Sequence, residues 1–160
     1  EDWEVFMDII LGRLDNRLLH GIIATQWVQH TACERLMIID DEVALDSQKK
    51  DIMRIAKPAG MPLSIITTQT AVDNFKKGKY SGKRVFVVAR KPQTFLTLQK
   101  QGITIAALNI GGSAGEKDET IKLYGRYSCS EADQKCLEAL KAAGVRMFMQ
   151  YVPADTKIEY

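Results

Sequence analysis

Residues 84–89 read RVFVVA, a run that is apolar from its second position to its last and dense in β-branched side chains. Residues 35–40, RLMIID, have the same character. Neither run alternates apolar with polar, so both faces must be covered, as happens when strands lie parallel between layers of helix. Further runs at 5–11, 63–67, 104–110 and 145–151 complete a set of predicted strands, and amphipathic stretches at 22–33, 47–57, 70–77, 92–100 and 131–143 separate them. Pro92 stands just inside one helix start, Gly102 and Gly144 stand just past two ends, and Ser130 precedes Asp133 by three positions as a capping pair. The rhythm predicts a three-layer α/β/α single domain with a mostly parallel central sheet, whose ligand sits at the carboxyl ends of the strands. The stretch 111–128 breaks that rhythm and reads as a loop with one or two short strands.

A chain of 160 residues is the size of one domain, and 46% hydrophobic with 26% charged residues excludes disorder and low-complexity architecture. Lys and Arg number 22 against 20 Asp and Glu, a net charge of +2 that is too mild to announce nucleic acid. Cys33, Cys129 and Cys136 form no CxxC pair and read as reduced thiols in a cytoplasmic protein. No apolar run approaches the roughly 18 residues of a membrane span. Residues 1–6 lack the basic and small-residue features of a leader and read as an appended remnant or a disordered start, with the domain occupying 7–160.

The densest polar constellation is GRLDNRLLHG at 12–21, predicted to form the loop after the first strand. Arg13 and Arg17 offer guanidinium forks that match phosphate oxygens, and Gly21 opens the start of the next helix to close approach by an anion. His20 adds a nucleophile, since an imidazole nitrogen can accept a phosphoryl group and later surrender it. Asp15 either orients an arginine or holds the imidazole tautomer, and both roles are open at this level. A relay of this kind must be reachable by its partners.

The run RLDNRLLHGIIATQW at 13–27 resembles the active loop of the IIB subunits in the mannose–sorbose–fructose class of the bacterial phosphoenolpyruvate-dependent sugar phosphotransferase system, with its pattern R-[IL]-D-x-R-L-[IL]-H-G-Q-V. The likeness continues through IIDDEVALD at 38–46 and LNIGG at 108–112. Ile22 departs from the usual Gln and removes an amide hydrogen bond; beyond Gly112 the likeness is loose. The resemblance implies that His20 is phosphorylated, on the nitrogen nearer the backbone, that Arg17 is needed for transfer, and that Arg13 and Asp15 complete the loop. It implies a phosphocarrier enzyme, a protein-N(π)-phosphohistidine–sugar phosphotransferase, which takes phosphate from a IIA domain and passes it to a sugar entering through a membrane IIC/IID complex. It further implies a cytoplasmic protein at the inner face of the membrane, with no cofactor, no metal and no nucleic-acid partner, as monomer or dimer. The tail RMFMQYVPADTK at 146–157 looks most like the N-acetylgalactosamine-type members. The alternatives are a regulatory phosphoprotein or binding module of the same fold, and an unrelated enzyme binding an anionic metabolite.

Asp40 and Asp41 fall at a predicted strand end, where paired carboxylates hold Mg²⁺ or act as a base, or more simply cap a helix. No third acid and lysine accompany them as a phosphoaspartate site would require. Thr67, Thr68, Gly111 and Gly112 also fall at strand ends, as pocket lining or as ordinary turn residues. GGSAG lacks dinucleotide-binding spacing. His30 reads as solvent-facing and Trp27 as core.

Overall fold

The structure, a computed structural model, describes residues 7–160, so the expectations for residues 1–6 and for the start of the strand predicted at 5–11 lie outside it. Strands β1 (Leu11–Asp15), β2 (Arg35–Ile39), β3 (Leu63–Ile66), β4 (Val85–Ala89), β5 (Ala107–Gly112), β8 (Arg146–Met149) and β9 (Ile158–Glu159) make one sheet in the order β3-β2-β4-β1-β5-β8-β9. All its pairings are parallel except that of β9, which closes the edge antiparallel to β8. A separate hairpin, β6 (Ile121–Tyr124) and β7 (Tyr127–Cys129), forms within the stretch expected to be a loop with short strands.

The continuous apolar character of 84–89 is explained by the two layers of helix. Val85, Val87 and Ala89 enter one core cluster beneath α4 (Thr68–Lys76), α5 (Pro92–Lys100) and α6 (Glu131–Ala142). Phe86 and Val88 enter the other, beneath α1 (Val28–Thr31) with the helical turn before it and beside α2 (Asp41–Ala44) and α3 (Ser47–Ile55). The period of two thus persists in the structure although the sequence, apolar on both faces, does not display it. Ser130 and Asp133 form the reciprocal capping box at the start of α6, as expected. Trp27 is buried and His30 exposed, also as expected.

The strand expected at 104–110 is β5 at Ala107–Gly112, the short α2 and β9 were not expected, and two further elements differ in ways that bear on the site. The helix predicted at 22–33 contains a π-turn over Ile23–Trp27, with the Val28 N–H bonded to the Ile23 carbonyl, and it stops at Ala32, which is left-handed at φ 52°. The wider turn keeps Ile23 and Trp27 both fully buried against the sheet. The first strand is displaced along the chain: β1 is Leu11–Asp15, preceded by an isolated bridge from Ile9 to Ile105. Gly12, Arg13 and Asp15 therefore belong to the central strand and not to the loop after it. Charge in those positions hid the strand, because pattern reading places charged residues outside a doubly covered sheet, whereas here the two charges neutralise each other.

Gly12 is required by packing. A Cβ there would stand 2.5 Å from Phe95 Cε1 of α5, and the ring is fully buried. Gly12→Ala is expected to cost about 1–3 kcal/mol by overpacking, measured by urea denaturation; an unchanged midpoint would contradict the tight seat of α5 on β1.

Candidate functional site

β1 ends at Asp15 in the middle of the sheet, and the chain must turn sharply to begin the helix that covers one face. Leu18 makes that turn: its N–H donates to the Asp15 carbonyl at 3.1 Å and its backbone is left-handed at φ 57°. A non-glycine residue pays roughly 1–2 kcal/mol for that conformation, offset here by full burial of its side chain in the core beside Leu19. The turn sends Asn16 and Arg17 outward and folds His20 back over the strand end.

Asp15 is the centre of the arrangement. Its Oδ1 accepts from the Arg17 backbone N–H at 3.0 Å, and its Oδ2 accepts from Arg13 Nε at 3.1 Å and from His20 Nε2 at 2.8 Å. Burial by itself would raise the Asp15 pKa, but the His20 hydrogen bond and the Arg13 charge more than offset it and hold the carboxyl below the usual range. A carboxylate only accepts, so Nε2 of His20 carries the proton and Nδ1 is the nitrogen with the lone pair. Of the two roles left open for Asp15, the structure shows both: it binds an arginine and it orients the imidazole. His20 retains 8% of its surface, less than an openly exposed relay residue, because Leu18 and Leu19 draw the loop into the core.

Arg13, expected beside Arg17 as a phosphate fork, is instead sealed inside at 0% exposure. Its Nη1 donates to Asn109 Oδ1 at 2.7 Å and to the Tyr151 carbonyl at 2.9 Å, and its Cζ lies 5.0 Å from the centre of the Trp27 ring. Trp27 Nε1 donates to the same Tyr151 carbonyl at 3.0 Å, which joins the helix, β5 and the segment after β8 around one guanidinium. Such a group is a structural counter-ion, its pKa lowered by burial against the opposing pull of Asp15. Arg17 is exposed, with no ion pair among the described residues.

The glycines after the late strand are also reassigned. Gly111 and Gly112 lie within β5 and leave room for their neighbours, and Gly112 also borders a hollow at the strand end. A Cβ on Gly111 would stand 2.4 Å from Arg13 Cζ, and one on Gly112 would stand 3.1 Å from the Tyr151 ring. Gly21, exposed at the start of the helix, has open space where a Cβ would be, in keeping with an approach from outside.

Asp40, Asp41, Thr67 and Thr68 come together at the ends of β2 and β3, but as caps. Asp40 accepts from the Val43 N–H at 2.9 Å, Asp41 from the Thr68 N–H at 2.8 Å, and Thr67 Oγ1 from the Thr70 N–H at 3.1 Å. Their hydrogen bonds run to helix starts and not to His20, and Arg90 stands 3.7 Å from Asp40. Among the described residues no group of three His, Cys, Asp or Glu is placed to hold a metal ion. Ile22 lies partly buried against the core. Sequence reasoning missed Asn109 and Tyr151, although both lie in runs quoted for other reasons, LNIGG and RMFMQYVPADTK. It also missed Arg126, which carried no signal at all.

A hollow of about 290 Å³ opens at the carboxyl ends of β1 and β5, beside Asp15 and Arg17. Two others, of about 370 and 250 Å³, lie at the amino ends of β5 and β8, away from where a parallel sheet places its ligands.

The chain is similar to known proteins over almost its whole length. A family model described as "PTS system sorbose subfamily IIB component" matches residues 9–160. The sorbose-specific EIIB component of Klebsiella pneumoniae is 31% identical over 152 residues, 95% of this chain and 92% of that protein. The N-acetylgalactosamine-specific phosphotransferase enzyme IIB component 2 of Escherichia coli (strain K12) is 30% identical, covering 95% and 96%. The mannose-specific EIIAB component of the same strain is 29% identical, and the chain spans 47% of its length. Among solved structures, the IIBSor domain of the Klebsiella pneumoniae sorbose permease superposes with a TM-score of 0.88 at 31% identity over 95% of this chain and 93% of that one. The Escherichia coli N-acetylgalactosamine-specific IIB component 1 does so with 0.86 at 28% identity, over 95% and 99%.

Removing the central charge has a pH signature. A carboxyl whose folded pKa is depressed stabilises the fold above its unfolded pKa, near 3.9, and loses that contribution as pH falls toward the folded value. Asp15→Asn is therefore expected to cost about 3–5 kcal/mol near pH 7, with the gap to the parent protein closing below about pH 4. A gap constant from pH 7 to 3 in urea titrations would show that the charge of Asp15 does not carry the effect.

Proposed function

The chain belongs to the sorbose-subfamily IIB components of the phosphotransferase system, and from that membership we propose that His20 is the residue that carries the phosphoryl group. It accepts the group from a IIA phosphohistidine and passes it to a sugar entering through a membrane IIC/IID complex. The observation that carries this reading is the 2.8 Å contact from His20 Nε2 to Asp15, which commits one ring nitrogen and leaves Nδ1 as the nucleophile.

In the first step the bond from phosphorus to the donor imidazole breaks as the bond to His20 Nδ1 forms, and each ring keeps the proton on its other nitrogen. The His20 ring becomes formally cationic as it takes the phosphoryl group, and the Asp15 carboxylate across the Nε2–H stabilises that charge. In the second step a sugar hydroxyl oxygen attacks phosphorus, Nδ1 leaves with its lone pair, and the hydroxyl proton passes to water or to a base of the membrane partner. Arg17, exposed at the mouth, neutralises charge on the equatorial oxygens during both transfers. Arg13 acts through Asp15 as a positioning residue.

Relatives named EIIAB support a IIA domain as donor. Relatives named for sorbose and for N-acetylgalactosamine are similar to the chain in equal measure. The sugar is therefore proposed from the tail at 146–157 as N-acetylgalactosamine or a related amino sugar. No helix of the described residues is long and apolar enough to cross a membrane, and the protein is proposed to work in the cytoplasm against the inner face of the membrane, where its IIC/IID partner lies.

Incubation with phosphoenolpyruvate, the general phosphotransferase proteins and a matching IIA domain is expected to give an acid-labile, base-stable phosphate on His20 by mass spectrometry. Labelling that survives His20→Ala would refute the assignment, and label that never passes to sugar would point to a regulatory phosphoprotein. Arg17→Ala is expected to keep the parent's melting temperature while phosphoryl exchange slows by about 10²–10³-fold; normal exchange would remove Arg17 from the mechanism.

A further inference from the structure

With Arg13 committed inside the fold, the pair of cations that the loop was expected to aim at a phosphoryl group is short by one. A different element supplies another. The hairpin β6–β7 turns through Gly125 and Arg126, and the Arg126 guanidinium lies 4.2 Å from the centre of the Tyr151 ring. The turn is stitched to the end of β5, since the Ser113 N–H donates to the Arg126 carbonyl at 3.0 Å and the Ser128 N–H donates to the Ser113 carbonyl at 2.8 Å. Gly112 lets the Tyr151 ring lie against the strand. Stacking on an aromatic face restricts the guanidinium and leaves its edge N–H groups free to donate.

Arg126 and Arg17 border the same hollow of about 290 Å³, together with Asp15, Gly112, Ser113 and Tyr151. Both arginines are exposed, and neither enters an ion pair among the described residues. The one carboxylate in the wall, Asp15, already accepts from three donors. Two cations border a cleft whose one acid is already engaged by three donors, an arrangement that favours an incoming anion with several oxygens.

We infer that Arg126, held on the face of Tyr151, is the second cation of the oxyanion pocket and binds a phosphoryl dianion opposite Arg17. The phosphocarrier reading is needed only to say where that dianion comes from: the group carried on His20, or a free phosphate ester that enters the same hollow.

The test uses the full chain and inorganic phosphate as probe, followed through the backbone amide shifts of Ser113 and Arg126 at low ionic strength. Arg126→Ala is expected to weaken phosphate binding about tenfold or more at an unchanged melting temperature, and Arg126→Lys to weaken it less. Unchanged phosphate affinity in Arg126→Ala would overturn the inference, as would phosphate shifts that bypass Ser113. A second arm measures exchange with a phosphorylated IIA domain. Slower exchange in Arg126→Ala, together with lost phosphate affinity, assigns the pocket to the group on His20; normal exchange with lost affinity assigns it to a free ester. If the parent protein takes no label on His20, the phosphocarrier reading fails while the titration still decides the role of Arg126.

Discussion

A carboxylate buried at the end of the central strand sets the terms for everything around it. An isolated charge in such a place would cost several kcal/mol in desolvation, and Asp15 avoids that by accepting from Arg13, His20 and the Arg17 backbone at once. Each donor is constrained in return. Arg13 must lie inside the sheet layer, so β5 must carry a glycine at 111 to make room for it. His20 must fold back over the strand, so Leu18 must adopt a left-handed backbone. The Arg17 N–H must point inward, which turns its side chain out.

The same network links elements that are distant in sequence. Arg13 of β1, Asn109 of β5, Trp27 of the helix and the Tyr151 carbonyl after β8 meet around one guanidinium. The role proposed for His20 asks for a nucleophile that is reachable and yet keeps its orientation when partners come and go. A ring tied at one nitrogen to a buried carboxylate that is itself held by Arg13 and the Arg17 backbone meets the second need, since its direction is set by the fold. The 8% of surface that remains open on His20 is the compromise with the first.

Much of the scaffold could be read from local patterns because the physics there is local. Apolar runs such as RVFVVA, the Ser130–Asp133 capping box and Pro92 at a helix start depend on neighbours within a few residues, and each stands where it was expected. The misplacement of β1 has the opposite origin. Arg13 and Asp15 look like loop residues until the partners that neutralise them, at positions 20, 109 and 151, are known. Asp40 read as a metal ligand, a base or, more simply, a helix cap, and Thr67 as pocket lining or a turn residue; the backbone N–H groups they bond make both of them caps.

What the sequence determined by itself was the set of parts: six parallel-sheet strands among helices, and a histidine beside an aspartate and two arginines in a pattern specific enough to indicate a family. What tertiary structure alone decided was which cation faces inward and which faces out. That choice turns on burial and on contacts spanning 96 and 138 positions for Arg13. It turns also on a hairpin turn, Arg126, that comes to the site only once Gly112 lets Tyr151 close against β5. A guanidinium is chemically the same in both settings; only the distribution of water and counter-charge around it, a property of the folded whole, gives it one role or the other.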